Sequence, residues 1–105
     1  MTDYGIVKGK IDEIEAEMKR LGMWQDKPLP DDAYGFRQAF GMDTMAFPQW
    51  LQFILIPRVR EIISEKGQFP SSSEVGIKAI KEFDQIPKAD QLIRLLNEFD
   101  AIAIA

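Results

Sequence analysis

The sequence contains neither cysteine nor histidine. That double absence removes the thiolate nucleophile, the imidazole base and the soft-ligand metal site at once. Ser-His-Asp and Cys-His arrangements are excluded with them. Any chemistry is left to carboxylate, lysine or tyrosine groups, or to a hard ion held by oxygen. No disulfide is available, and none is needed. A chain of 105 residues with 46% hydrophobic side chains buries roughly two-thirds of its unfolded surface, enough for one core. Freedom from cysteine is compatible with a reducing cytoplasm.

Basic charge is also scarce. Lys and Arg number 13 against 17 Asp and Glu, a net charge of −4. This argues against nucleic acid as a direct ligand, because such binding rests on neutralising phosphates. Long apolar runs are missing too. The longest, Phe47 to Ile56, is broken by Pro48, Gln49 and Gln52, far short of the about 20 residues of a membrane span. Met1 to Gly5 offers neither the basic start nor the apolar stretch of a signal peptide. The expectation is one soluble cytoplasmic domain, residues 1–105, with no membrane association, no cofactor, no metal site and no catalytic residue.

What is present is helical periodicity. Val7, Ile11, Ile14, Met18 and Leu21 recur at spacings of four and three, placing them on one face of a first helix. Glu13 and Glu17 fall on its charged face, where both should stay hydrated, and Glu15 faces Lys19 one turn on. Gly22 is the expected left-handed terminator, while Gly5 and Gly9 should fray the start. From Met23 to Met42 the periodicity stops, leaving a connection far longer than the usual about 4–6 residues. Trp24, Tyr34, Phe36 and Phe40 are its candidate anchors.

A second helix is predicted from near Met45–Pro48 to Lys66, closed by Gly67 and apolar on nearly every side. Pro57 should kink it without splitting it. A third opens at a capping-box match, Ser71 with Glu74, and Ile77, Ala79, Ile80 and Phe83 supply its core face. A fourth starts near Pro87 or Lys88 and carries Leu92, Leu95, Leu96, Phe99 and Ile102. No segment alternates as a strand does. The fold class is therefore all-α, a four-helix bundle or compact helical array with one long loop and a proline-kinked second helix.

Asp43 and Thr44, just ahead of the second helix, read as capping residues, or Asp43 as a functional carboxylate. Trp50, Phe53 and Ile54, with Met42 and Met45, belong to the core or to a recognition patch, since Trp and Met are favoured at interfaces, whereas Trp24, in the loop, is expected to bury against the bundle. Arg58 and Arg60, interleaved with Glu61 and Glu65, read as a solvated face or as a guanidinium site for phosphate or carboxylate. Asp31 and Asp32 lack the spacing of a calcium loop.

Met42-Asp43-Thr44-Met45, followed by Trp50-Leu51-Gln52-Phe53 and Ile56-Pro57-Arg58, resembles the YqcC-like family of small gammaproteobacterial proteins. The family has an acidic residue before the tryptophan, where this chain has Gln49. The resemblance implies an all-helical fold and no established activity. It also implies a link to tRNA modification, because members are often encoded beside a tRNA pseudouridine synthase and some carry its label. A chain this short has no room for that enzyme's large mixed α/β domain.

The first expectation is therefore a protein–protein interaction module or accessory factor, with Trp24, Phe36, Phe40, Met42, Asp43, Met45, Trp50 and Arg58 as its candidate surface. Its partner would be an unidentified protein, a tRNA-modifying enzyme being the candidate. One alternative is RNA binding through Arg37, Arg58 and Arg60. Another is a small-molecule binder or enzyme with a carboxylate in a helix-lined pocket. The apolar tail from Ala101 to Ala105 could pack on its own bundle or on a second copy.

Overall fold

Four helices and no strand make up the described residues of the computed structural model, residues 3–103. Helix α1, Tyr4–Arg20, buries Val7, Ile11, Ile14 and Met18, the stripe its periodicity required. Asp3 caps it by accepting from the amides of Gly5 and Ile6, which no sequence signal had singled out. At the other end Gly22 adopts φ 74°. The Met23 amide bonds the Met18 carbonyl at 2.9 Å and the Gly22 amide that of Lys19 at 3.1 Å. This pair of bonds satisfies carbonyls the helix leaves open.

Helix α2 covers 47–65 in three segments, Phe47–Trp50, a π-helical turn Leu51–Leu55 and Ile56–Glu65. Trp50, Leu51, Leu55 and Ile56 keep right-handed helical dihedrals across both junctions. The Ile56 amide reaches back five residues to the Leu51 carbonyl. A wider turn gives the Pro57 ring room against the preceding carbonyls, so the helix runs on with no extended break. It ends one residue earlier than expected. Lys66, at φ 52°, takes the left-handed position, and Gly67 follows it, donating to the Ile62 carbonyl at 2.8 Å.

Helix α3, Val75–Phe83, departs most from its sequence reading. Ser71 and Glu74 form no capping box, and Glu74 makes no side-chain cap. The cap is tertiary: Asp100 accepts from the Gly76 amide at 2.6 Å and the Ser73 hydroxyl at 2.5 Å. The buried face is Val75, Gly76, Ala79 and Phe83, while Ile77 and Ile80 are 53% and 49% exposed. Gly76 lies against Asn97 of α4, Asp90–Ile102. The small residues Gly76 and Ala79 let the two helices approach, and that approach turns Ile77 and Ile80 outward.

Helix α4 follows a 3-10 turn, Pro87–Ala89, and buries Leu92, Leu95, Leu96 and Phe99. It packs against both α1 and α3, and Leu51, Ile56 and Val59 of α2 complete the main core. Arg60 ties α2 to α1, its guanidinium 3.0 Å from both Asp12 Oδ1 and Glu15 Oε1. Glu17 is not hydrated as expected. It is buried, and Arg20 grips it through Nε at 2.8 Å. Of the tail, Ala103 is buried and Ile102 half-buried on this core. Residues 104 and 105, and the start at Met1 and Thr2, lie outside the described residues.

Candidate functional site

The long connection is a built structure, held to α2 by glutamines. Gln52 is buried within the π-helical turn. Its side-chain oxygen accepts from the Gln25 amide at 3.0 Å, and its nitrogen donates to the Gln25 carbonyl at 2.8 Å. One side chain thus pairs with both backbone polar groups of Gln25, as a residue on a neighbouring strand would. Gln49 adds a bond to the Gln25 side chain at 3.1 Å and caps α2 through the Ala46 amide at 2.8 Å.

Beyond that clasp, Leu29, Ala33 and Met45 form a second small core, covered by Phe36, Trp50, Phe53 and Ile54. Two 3-10 turns, Asp31–Gly35 and Ala39–Gly41, bracket it. Met45 is buried, Trp24 and Trp50 are half-buried, and Tyr34 is 47% exposed and anchors nothing. Lys19 lies 5.1 Å above the Trp24 ring. The outer face of α2, expected to be central and buried, is half-exposed because only this loop covers it.

Asp43 does not cap α2. Its carboxylate accepts from the amides of Arg37 at 3.0 Å and Gln38 at 3.3 Å, and Thr44 donates to the Ala33 carbonyl at 2.7 Å. Both side chains turn back onto the loop because the helix begins only at Phe47. The Arg37 amide holds the Asp43 carboxyl below its ordinary value, with Gln38 reinforcing it against a desolvation that pushes the other way. A lowered folded pKa stabilises the loop above the ordinary value of 3.8 and ceases to do so as pH falls through the folded value. The Asp43 side-chain carbon resonance should therefore titrate with a midpoint below 3.8. The Arg37 and Gln38 amide resonances should move with it. An Asp43→Ala chain should lack that titration, and a midpoint at or above the ordinary value would contradict the clasp.

Phe40 sits at φ 57° with Gly41 at φ 61°, a left-handed pair unusual for an aromatic residue. That backbone aims the Phe40 ring at Trp50, edge-on at 5.0 Å, and at Phe47 at 5.9 Å. Phe47 stacks on Trp50 and touches Phe83 of α3 at 5.5 Å, so the aromatic cluster joins loop, α2 and α3. Immediately after this turn Met42 projects outward, 52% exposed. Lys78 of α3 spans the junction, its amine 3.1 Å from Met42 Sδ and 5.9 Å from the Phe40 ring centre. Lys78 therefore links Met42 and Phe40 to α3.

The expected surface is thus divided. Phe36, Met45 and Trp50 help form the second core, Trp24 packs against the main one, and Asp43 shapes the loop. Phe40 and Met42 meet α3 at Lys78, while Ile77 and Ile80, which sequence reasoning had placed in the core, are exposed elsewhere on that helix. Gly76, a glycine inside a helical pattern, was the signal that could have located the turned face. Arg58 lies apart, lining a cavity with Leu55, Val59 and Phe99. Of the three arginines proposed for RNA, Arg60 is occupied by two carboxylates. Among the described residues no group of three or more acidic side chains could hold a metal ion, and no helix is long and apolar enough to cross a membrane.

Comparison with known proteins gives a consistent picture. Residues 6–102 match the DUF446 family, described as tRNA pseudouridine synthase C. The chain is 33% identical to the uncharacterized protein YqcC of Escherichia coli over 77 residues, covering 72% of this chain and 70% of that one. An uncharacterized protein of Haemophilus influenzae is 27% identical over 82 residues, covering 75% of this chain and 77% of its own. A Pectobacterium carotovorum protein named tRNA pseudouridine synthase C is 27% identical over 72 residues, which are 69% of this chain but 19% of that protein. The solution NMR structure of Escherichia coli YqcC superposes with a TM-score of 0.85 at 25% identity, covering 97% of this chain and 88% of that one. A family model spanning nearly the whole chain and the shared fold place the chain in the YqcC-like family.

Proposed function

We propose that this domain is a non-catalytic interaction module whose exposed Ile77 and Ile80 face docks a tRNA-modifying enzyme of the pseudouridine synthase class. The observation that carries the reading is the outward turn of Ile77 and Ile80 on α3. Two isoleucines about half-exposed and one turn apart on α3 are apolar surface the fold does not use. Such surface, rimmed by charged groups such as Lys78 and Lys81, is what protein interfaces employ. The partner class draws support from the Pectobacterium protein. Its name is tRNA pseudouridine synthase C, and the stretch matching this chain is 19% of its length, so most of that protein lies outside the match.

The test is binding between the full chain and a purified tRNA pseudouridine synthase C from the same organism. Ile77→Asp with Ile80→Asp should weaken it by about tenfold or more, since truncating or charging a central apolar anchor costs about 1–2 kcal/mol or more. Both side chains already face water, so the variant should fold as the parent does. Equal binding by the variant would remove this surface from the interface. Affinity purification of the tagged chain, with and without ribonuclease, examines the partner class. Loss of every partner under ribonuclease would favour association through RNA.

A further inference from the structure

Away from the docking surface, α2, the 67–74 connection and α4 line a half-open cavity of about 440 Å³, within the roughly 300–1,000 Å³ typical of small-ligand sites. Leu55, Val59 and Ile62 enter it from α2 at helical spacing, Phe69 from the connection and Phe99 from α4. The connection is not a loose flap. Tyr4 donates its hydroxyl proton to the Gly67 carbonyl and packs its ring 6.0 Å from that of Phe69. The wall is therefore fixed to α1.

The polar groups lining this cavity are Arg58, Gln68 and Ser73. Ser73 has committed its proton to Asp100 at 2.5 Å, which leaves its oxygen only as an acceptor. Arg58 is the charged member, and among the described residues it has no ion-pair partner, whereas Arg20 and Arg60 each grip carboxylates. An apolar chamber with one guanidinium at its edge has a defined chemical complement.

We propose that this cavity binds a small apolar monocarboxylate, its hydrocarbon body between Phe69 and Phe99 and its carboxylate on Arg58. The planar guanidinium matches a carboxylate through two parallel hydrogen bonds. Arg58 is exposed, so the paired charges stay in contact with water and avoid the desolvation cost of a buried ion pair. A single cation at the cavity, on a chain of net charge −4, suits a monoanion better than a doubly charged phosphate ester.

Decanoate, added to the full-length protein below its aggregation concentration, is the probe, with decan-1-ol as its uncharged counterpart. Methyl and aromatic NMR should show saturable shifts at Leu55, Val59, Ile62, Phe69 and Phe99. Arg58→Gln should weaken decanoate by about fivefold, the scale of one partly solvated charge pair, and leave decan-1-ol unchanged. Arg58 holds no other element in place, so this variant should keep the parent spectrum elsewhere. The proposal is overturned by decanoate shifts centred on Met42, Ile77 and Ile80, by an equal loss for acid and alcohol, or by no saturable shift at millimolar probe.

Discussion

Replacing Gly76 by alanine should destabilise the protein by about 2 kcal/mol and lower its melting temperature by about 10 °C. The direction runs against intrinsic preference, because alanine is about 1 kcal/mol better than glycine inside a helix. Packing decides otherwise. A Cβ at position 76 would lie 2.4 Å from Asn97 Oδ1, 2.5 Å from its Cγ and 2.8 Å from its Cα. The Asn97 side chain could rotate away at the cost of its bond to the Ile93 carbonyl at 2.8 Å. The Cα cannot move unless α3 and α4 separate.

Overpacking of this kind costs about 1–3 kcal/mol and occasionally more, which outweighs the helix-propensity gain at its upper end. Urea unfolding followed by circular dichroism measures the difference. Adding Asn97→Ala should recover only the side-chain part of the loss. A Gly76→Ala protein as stable as the parent would show that the helices do not approach this closely, and with it would go the reason for the exposure of Ile77 and Ile80.

Gln52→Leu should cost about 2 kcal/mol and release the start of the long loop. Leucine nearly preserves volume and suits the apolar turn around it, so cavity formation contributes little. What is lost is the pairing of both backbone polar groups of residue Gln25. Each buried backbone group left unpaired costs about 1–3 kcal/mol, moderated here because Gln25 is half-buried and water can reach it. Equilibrium unfolding gives the total. Faster hydrogen exchange at the Gln25 amide, with α1 and α4 unchanged, would localise it.

Gln52→Glu separates the two bonds. A carboxylate still accepts from the Gln25 amide but opposes its carbonyl, so stability should fall at neutral pH. Protonation restores a donor, and with it part of the loss, as pH drops. Leucine and glutamate variants indistinguishable from the parent would mean that the loop is held by its apolar anchors alone.

The elements easiest to read from sequence were those whose signals are local. The stripe from Val7 to Met18 and the stripe from Leu92 to Phe99 each name their own buried face, and Gly22 marks its own turn. Pro57 announces a disturbance because the missing amide is a property of that residue. Its resolution as a π-helical turn depends on how the surrounding helix winds, and that was not legible. The candidate site was read less well. Phe40 and Met42 meet α3 at Lys78, but Phe36, Met45 and Trp50 serve mainly a second core, and Asp43 closes a loop instead of capping a helix.

The sequence by itself determined the class of the protein. Lacking cysteine, histidine and strand alternation, and carrying four apolar periodicities, it had to be a helical domain with no thiol or imidazole chemistry. Tertiary structure decided which residues face outward. Ile77 and Ile80 fit a core stripe as well as Val75 and Phe83 do, since 3.6-residue periodicity defines an arc of the helix but not its rotation. That rotation is fixed by Gly76 meeting Asn97, and the cap of the same helix comes from Asp100, 24 residues further along the chain. Contacts between residues so distant in sequence leave no periodic trace, so the exposed face appears only once the helices are packed.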